Sequence, residues 1–314
     1  MRHLCPLPGL SAAIVIAASL VAGSAMAKTV QIGPEKPLKT LAEGLGELAD
    51  GDRLLIDEGE YFDCGTVRSN DVIIEGAGKD GSTIITDKTC GGKALLITAG
   101  DNITVRNLTL TRARVPDGNG AGIRSEGTNL KVDHVKFINN ENGILAGVNK
   151  ASTISVMNSE FSRNGACGAA CSHGIYAGGI KLLHVENSTF SETKQGHHIK
   201  SRAARTEVIG CTIGDGPNGT ASYSIEIPNG GGVLVKNNTI EKGPKSENHT
   251  GAIVIGMEGV TQATREIIVE DNTFRNTGGY PTFLVVNQTA TEAMLKGNKL
   301  SGKAEPLRGD GVVK

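Results

Sequence analysis

Chemically active side chains concentrate in one stretch near the middle of the sequence. Four of the seven histidines lie between residues 173 and 198, and three of them stand close to a tyrosine, a lysine and an arginine: His173, Tyr176, His197, His198, Lys200 and Arg202. Glu226 follows 24 residues after Arg202. Imidazole and amine groups exchange protons, and a guanidinium binds a carboxylate with two hydrogen bonds. The stretch therefore predicts proton transfer beside a bound anion.

The composition indicates many short strands rather than a core of large aromatic side chains. Of 314 residues, 38% are hydrophobic but only 3% are aromatic, with 43 glycines and no tryptophan. Abundant Gly, Asn, Thr, Val and Ile are typical of strands joined by tight turns. The formal charge is −1 and no block of like charge occurs. We therefore expect no nucleic acid partner.

Residues 1–27 have the form of a secretory signal peptide. A weakly basic start is followed by an apolar run over residues 10–22 and by the cleavage pattern Ala25-Met26-Ala27. The run is shorter than the roughly 20 residues of a membrane span, so a retained anchor is the less favoured alternative. We expect a periplasmic or secreted protein, with residues 28–314 as one domain and no membrane association after removal of the signal.

Cysteine spacing suggests two disulfides in an exported chain. Cys167 and Cys171 lie in one Gly/Ala loop and can close a small bridge. Cys64 and Cys90 are 26 residues apart, which matches one repeat of the chain. Cys211 is left over, and the pairing itself stays open at this level.

An internal repeat predicts the architecture. One hexad, as in VRNLTL (105–110), VMNSEF (156–161) and VKNNTI (235–240), recurs eight times, and its last residues are 23 to 34 residues apart. They are Leu110, Phe137, Phe161, Phe190, Ile213, Ile240, Phe274 and Leu300. Between the hexads runs a second column, formed by Ile123, Ile144, Ile175, Ile199, Ile225 and Ile253. Repeats of this length in strand-forming composition predict an all-β solenoid, a parallel β-helix.

The start of the mature chain predicts a cap for this solenoid. Leu38, Leu41, Leu45 and Leu48 form one helical stripe, so we expect a short α-helix at about residues 38–49. A solenoid must cover its open end, and an amphipathic helix on the first coil does so.

These features resemble the right-handed parallel β-helix proteins of the pectate-lyase-like superfamily. The resemblance rests on the N-terminal helix, the opening GDRLLIDEGEY (51–61) and the N-x-T-[FIL] coils, and it covers nearly the whole mature chain. It implies an exported protein that acts on polysaccharide, commonly acidic polysaccharide, along the outer face of the helix. The superfamily contains lyases, hydrolases and epimerases, so the resemblance is specific for the fold alone.

Strand alternation predicts which side chains face outward, because successive residues of a strand point to opposite faces. If the isoleucine column faces inward, both of its neighbours face outward. The column after it then presents Arg124, Tyr176, Lys200 and Glu226. The column before it presents His198, and Arg202 follows Lys200 on the same face. His173 and His197 are expected at the edge of this patch.

The patch and the resemblance together favour β-elimination in a uronate-containing glycan. In that reaction a cation neutralises the sugar carboxylate, a base removes the C5 proton and an acid assists the leaving oxygen. We expect Arg202 to neutralise the carboxylate and Lys200 to act as the base, with His198 as a competing base. Tyr176 is the expected acid. The expected substrate-binding residues are Arg124, His173, His197 and Glu226.

Several alternatives stay open. Lys200 and Glu226 on adjacent coils can be a simple surface ion pair. A uronate epimerase uses the same proton abstraction, and a non-catalytic carbohydrate-binding or surface protein uses the same cationic groove. Hydrolysis by paired carboxylates is disfavoured, because the patch shows Glu226 alone. No metal site and no cofactor are expected; Ca²⁺ is left open, although no acidic cluster is seen. We expect a monomer with a polysaccharide partner.

Overall fold

The chain winds into successive coils, and each full coil contributes one short strand to each of three parallel sheets. The computed structural model describes Met1 and residues 26–168 and 170–314. The architecture is a parallel β-helix with one short helix near its start, which confirms the predicted fold class. The predicted signal peptide, residues 1–27, lies almost wholly outside the described residues.

The three sheets are named in the order in which the chain enters them. Sheet 1 contains Thr29–Ile32, Arg53–Ile56, Ile73–Gly76, Ile103–Arg106, Leu130–Asp133, Asn149–Met157, Ile180–Glu186, Arg205–Ile209, Gly232–Lys236, Ile267–Glu270, Ala293–Lys296 and Gly311–Val313. Sheet 2 contains Gly59–Tyr61, Thr83–Thr86, Thr109–Thr111, Lys136–Ile138, Glu160–Ser162, Thr189–Ser191, Thr212–Gly214, Thr239–Lys242, Thr273–Asn276 and Lys299–Ser301. Sheet 3 contains Gly65–Val67, Ala94–Thr98, Ala121–Ser125, Asn142–Ala146, Ile175–Ala177, His197–Ser201, Tyr223–Ile227, Gly251–Ile255, Thr282–Asn287 and Ala304–Arg308.

Both predicted columns are in register along the helix. The ends of the eight hexads pair from Leu110 to Leu300 in sheet 2, and the isoleucines pair from Ile123 to Ile253 in sheet 3. Phe137, Phe161 and Phe190 stack with ring centroids 4.5 and 4.6 Å apart, close to the spacing between strands. These rings are buried, so each coil covers the apolar face of the next.

The capping helix is shorter than predicted, spanning Leu41–Gly46. It begins at a capping box, in which the Thr40 side chain accepts from the Glu43 backbone N–H and Glu43 reaches back to the Thr40 N–H. It ends early because the N–H groups of Glu47 and Leu48 bond three residues back, to Gly44 and Leu45. Leu41 is buried against the first coil, as the cap requires.

Both suggested disulfides are formed. Cys64 joins Cys90 one coil later, and Cys167 joins Cys171 across a small antiparallel hairpin, Ala166–Cys167 with Cys171–Ser172. Cys211 is free and buried, where burial raises the pKa of its thiol to about 11. Among residues 26–168 and 170–314, no helix has the length and apolar character that crossing a membrane requires.

Buried asparagines tie the coils together where sheet 1 turns into sheet 2. Asn238 Nδ2 donates to Asn272 Oδ1 and to the Val208 carbonyl, both at 2.9 Å. Asn272 repeats the pattern with Asn298 Oδ1 and the Val235 carbonyl, also at 2.9 Å. Each amide therefore satisfies backbone groups that the turn leaves without a ladder partner.

The strands of sheet 3 depart from simple alternation at the residue before each isoleucine. A Cβ built on Gly122 lies 2.8 Å from the Phe137 ring, and one on Gly143 lies 2.7 Å from the Phe161 ring. Because these rings and the isoleucine column are all buried, two consecutive positions of the strand face the interior. Glycine fits here because a side chain would collide with the stacked phenylalanines.

This double inward step corrects the predicted position of His198. His198 follows the glycines in the same column and is wholly buried, with its ring edge against Phe190 at a centroid distance of 6.4 Å. Its Nε2 lies 3.0 Å from Asp215 Oδ1, and its Nδ1 lies 2.7 Å from Thr193 Oγ1. The side chain expected on the outer face therefore belongs to the interior, where it does not reach a ligand on the surface.

Lys242 completes a buried polar cluster with Asp215 and His198. Its Nζ donates to the Ser222 carbonyl at 2.6 Å. Burial lowers the pKa of Lys242 to about 8, and the nearby Asp215 carboxylate only partly opposes that shift. Burial would raise the pKa of Asp215, but contact with His198 and the charge of Lys242 lower it. Asp215 is therefore an ionised acceptor, to which His198 donates from Nε2–H.

We expect Phe161→Ala to lower the free energy of unfolding by about 3–5 kcal/mol, because it leaves a cavity between two stacked rings. Chemical denaturation followed by circular dichroism measures this change. Phe62→Ala is the matched control: Phe62 is 64% exposed, so its loss should change the free energy by less than about 0.5 kcal/mol. Equal effects of the two variants would contradict the phenylalanine stack as a main contributor to stability.

We expect the free energy of unfolding to rise with pH through the Lys242 ammonium. The pKa of about 8 lies below the 10.5 of a lysine in water, so the unfolded chain binds more protons between these values and stability increases with pH. Relative to Lys242→Met, the wild type should gain about 1 kcal/mol between pH 7 and pH 9. Parallel pH curves for the two proteins would show that Lys242 is not protonated differently on folding.

Candidate functional site

A polar cleft of about 640 Å³ lies on the outer face of sheet 3. Its floor is formed by Asn142–Ala146, Ile175–Ala177, His197–Ser201 and Tyr223–Ile227, and the Cys167–Cys171 hairpin contributes to its rim. Seven of the eight predicted site residues line it: Arg124, His173, Tyr176, His197, Lys200, Arg202 and Glu226. The eighth, His198, lies in the interior. The fold therefore brings together side chains that span five successive coils, from Arg124 to Glu226.

One column of the cleft is a ladder of side chains that accept backbone N–H groups. Asn142 Oδ1 accepts from the His173 N–H at 2.9 Å, His173 Nδ1 from the His197 N–H at 3.0 Å, and His197 Nδ1 from the Tyr223 N–H at 3.1 Å. The rings of His173, His197 and Tyr223 stack 4.9 and 5.2 Å apart. This column stands two residues before the isoleucines, and the double inward step turns it outward.

The ladder determines the protonation of both cleft histidines. A ring nitrogen that accepts an N–H holds a lone pair, so in each neutral ring the hydrogen is on Nε2. Burial lowers the pKa of His173, and the neighbouring His197, Lys200 and Arg202 lower it further. Burial also lowers the pKa of His197, although Glu226 opposes this. Both histidines are therefore neutral donors at physiological pH, and neither has a free lone pair.

Lys200 lies between two carboxylates. Its Nζ is 2.7 Å from Glu226 Oε2 and 2.7 Å from Glu258 Oε1. Glu226 Oε2 is also 2.9 Å from His197 Nε2. Burial would raise the pKa of Glu226, but His197 and Lys200 outweigh it and lower this pKa to about 2. Glu226 is therefore a permanent carboxylate that orients Lys200 and His197.

Arg202 connects Tyr176 to the same carboxylate. Its Nε donates to Tyr176 Oη at 3.0 Å, and a terminal nitrogen lies 2.5 Å from Glu258 Oε2. Another terminal nitrogen donates to Asn229 Oδ1. Burial would lower the pKa of Arg202, but Glu258 and Tyr176 outweigh it and raise this pKa. The guanidinium is therefore fixed beside the tyrosine hydroxyl.

Glu258 and Asn229 were not predicted from the sequence. Arg202, Asn229 and Glu258 each lie within three residues of the end of a sheet 3 strand, namely His197–Ser201, Tyr223–Ile227 and Gly251–Ile255. The ends of parallel strands in register meet at one edge, and this signal could have placed all three together. The cleft therefore holds more than the single carboxylate that the sequence indicated.

Asn142 presents a donor to the cleft. It is 1% exposed, its Oδ1 is used by the ladder, and its Nδ2 has no hydrogen-bond partner among the described residues. Buried polar groups without a partner are uncommon and carry a free-energy penalty. Arg124, which also lines the cleft, has a buried Nε that makes no hydrogen bond and lies 3.8 Å from Glu126 Oε1. Two cleft side chains therefore carry buried donors without a hydrogen-bond partner among the described residues.

Two of the three glutamates that line the cleft are paired with cations. Glu226 contacts Lys200 and His197, while Glu258 contacts Lys200 and Arg202. In residues 26–168 and 170–314, no three His, Cys, Asp or Glu side chains are grouped so that they could hold a metal ion. The cations and N–H donors of the cleft can bind anions and transfer protons.

Comparison with known proteins places the chain in a family. The family model described as "Right handed beta helix region" matches residues 148–306. Among solved structures, the chain is similar to an alginate lyase from Paenibacillus sp. str. FPU-7, with 15% identity, 90% of this chain and 99% of that chain covered and a TM-score of 0.66. It is also similar to pectate lyase Pel9A, with 13% identity, 93% and 80% of the two chains covered and a TM-score of 0.56.

At these identities the likeness to solved structures concerns the fold. No curated protein sequence matches the chain. The family model covers half of the sequence, and the three-sheet architecture extends the same fold on both sides of the matched region. The chain belongs to the right-handed β-helix family.

Proposed function

We propose that this protein is an exported lyase that cleaves a uronate-containing polysaccharide by β-elimination. The observation that carries the proposal is the convergence of Tyr176, Lys200 and Arg202 in one cleft, on two adjacent strands of sheet 3. An arginine for the carboxylate, an amine for the proton and a phenol for the leaving oxygen are the groups that this reaction needs. An elongated glycan fits an open cleft on the side of a solenoid.

The hydrogen-bond ladder favours Lys200 as the group that removes the proton. His173 and His197 use their lone pairs to accept backbone N–H groups, so neither can take a proton from C5 of the sugar without losing its place in the ladder. His198, the competing base in the sequence, is buried against Asp215. Lys200 is 8% exposed and lies at the centre of the cleft.

Each remaining group has a defined task in the elimination. Lys200 acts through its free amine, after its ammonium group has given one proton to solvent, and this amine then takes the C5 proton. Arg202 binds the uronate carboxylate and stabilises the negative charge that develops in this step. The electron pair forms the C4–C5 double bond, the C4–O bond breaks, and Tyr176 gives its proton to the departing oxygen. Asn142 Nδ2 and the His173 Nε2–H group are donors for sugar oxygens.

The state of the carboxylates favours elimination over hydrolysis. A glycosidase needs one protonated carboxylic acid beside an ionised carboxylate. Glu226 has a pKa of about 2, and the pKa of Glu258 is lowered by Lys200 and Arg202 although burial opposes it. Neither glutamate is protonated near neutral pH, so the pair does not supply a general acid.

The comparisons and the disulfides support the same proposal. The similar solved structures are titled as an alginate lyase and a pectate lyase, and both names denote cleavage of acidic polysaccharide. Two disulfides are typical of a protein that folds in an oxidising compartment, which supports export by the predicted signal at residues 1–27.

We expect the purified mature protein to release unsaturated uronates from at least one of alginate, pectate or another acidic glycan. Ultraviolet absorbance of the new double bond measures the rate. Lys200→Ala and Arg202→Ala should each lower kcat by about 100-fold or more, because they remove the base and the group that neutralises the carboxylate. Tyr176→Phe should lower it by about tenfold or more.

Lys181→Ala is the matched control, since Lys181 is an exposed lysine of sheet 1. Its activity should equal that of the wild type. Undiminished release of unsaturated product by both Lys200→Ala and Arg202→Ala would still support a lyase but would contradict the proposed catalytic residues. Absence of unsaturated product on every glycan would contradict the lyase.

Reaction in D₂O separates the lyase from a uronate epimerase. Elimination makes C5 part of a double bond, so the product carries no deuterium at C5. An epimerase returns a proton from solvent, and intact chains would gain deuterium at C5. We expect nuclear magnetic resonance to detect the unsaturated ends and no deuterium at C5 of the uncleaved residues. Binding of the glycan with neither change would instead indicate a non-catalytic carbohydrate-binding protein.

A further inference from the structure

One carboxylate of the protein itself bridges the two cations of the cleft. Glu258 Oε1 lies 2.7 Å from Lys200 Nζ, and Glu258 Oε2 lies 2.5 Å from a terminal nitrogen of Arg202. A bound uronate would need the same contacts, because its carboxylate is planar, carries one negative charge and must reach the same guanidinium. The Glu258 carboxylate therefore occupies the place of the ligand's carboxylate.

The two carboxylates beside Lys200 differ in how firmly they are held. The Glu226 side chain is 5% exposed, lies within the strand Tyr223–Ile227 and also contacts His197. The Glu258 side chain is 41% exposed and follows the end of the strand Gly251–Ile255. Glu258 can move into water without breaking a strand, whereas Glu226 cannot.

The backbone around Glu258 limits this movement to the side chain. Its N–H donates to the Pro228 carbonyl at 3.0 Å, and the neighbouring Gly259 carbonyl accepts from Asn229 Nδ2 at 3.0 Å. Gly256 and Gly259 have φ values of 83° and 89°, so the chain turns sharply on either side of the glutamate. The loop is therefore anchored, and rotation of the Glu258 side chain alone is enough to break its contacts with Arg202 and Lys200, while Lys200 keeps its contact with Glu226.

We infer that Glu258 is a built-in competitor for the ligand's carboxylate: it neutralises Lys200 and Arg202 in the free protein and is displaced by a uronate. This inference rests on the proposed function, because it assumes a uronate-binding cleft. Glu258 determines specificity in two ways. A neutral sugar cannot replace its charge, and every acidic sugar binds more weakly than the bare cations would allow.

The test is the affinity for single uronic acids, which have no glycosidic bond at C4 and therefore bind without turnover. D-galacturonate, D-mannuronate and L-guluronate are titrated into the wild type and Glu258→Gln by nuclear magnetic resonance, with D-galactose, D-mannose and L-gulose as uncharged controls. We expect Glu258→Gln to lower the Kd of at least one uronate by about fivefold, because the variant no longer competes with the ligand for the two cations. This factor corresponds to an ion pair that contributes about 1 kcal/mol. The Kd of the neutral sugars should not change.

Glu247→Gln is the matched control for charge. Glu247 lines the same cleft and has no ion-pair partner among the described residues, so removing its charge should alter the Kd by less than about twofold. Glu258→Ala serves as a second variant, and thermal unfolding of each variant establishes that it is folded. Equal tightening by Glu247→Gln and Glu258→Gln would overturn the inference, because it would reflect net charge alone.

Unchanged or weaker uronate binding in both folded Glu258 variants would also overturn the inference and leave Glu258 as a structural ion pair. So would failure of the wild type and both variants to bind any uronate. The outcome is independent of catalysis: tighter binding by Glu258→Gln without unsaturated product from the wild type would support the competitor and contradict the lyase.

Discussion

Parallel backbone pairing between coils is the constraint on which the whole molecule depends. A strand in a β-helix can satisfy its N–H and C=O groups only with the strands above and below it, about 4.8 Å away. Pairing in register places each residue on the equivalent residue of the next coil, so side chains of one kind form continuous columns. The phenylalanine stack, the isoleucine column and the asparagine ladder are three results of that single arrangement.

The same constraint builds the cleft. Where two consecutive positions of sheet 3 face the interior, the residue two places before the isoleucine turns outward and its side chain accepts the N–H of the next coil. His173 and His197 therefore have a structural task that removes their lone pairs and leaves their Nε2–H groups as donors. Backbone N–H groups thus limit the chemistry of the cleft, because the ladder determines which side chains remain able to take a proton.

Charge balance in the cleft follows from burial. A cation that is removed from water needs a partner of opposite charge. Lys200 and Arg202 both contact Glu258, and Lys200 also contacts Glu226, which His197 contacts as well. Glu226 is buried within a strand, whereas Glu258 lies outside the strands and remains partly in water. A ligand can therefore replace one partner without disturbing the other, so the cations stay neutralised in both states.

The sequence by itself determined the solenoid, its cap and both apolar columns, because a repeat in strand-forming composition leaves few other ways to bury its apolar residues. It also placed seven of the eight site residues in one cleft, since residues at equivalent places in successive repeats must be neighbours. Only the tertiary structure decided that His198 faces the interior. The usual alternation of inward and outward side chains along a strand is interrupted here, because two consecutive residues face inward. Only the tertiary structure brought Glu258 to Lys200 and Arg202, because its loop leaves the repeat and the path of a loop depends on contacts that no periodicity encodes.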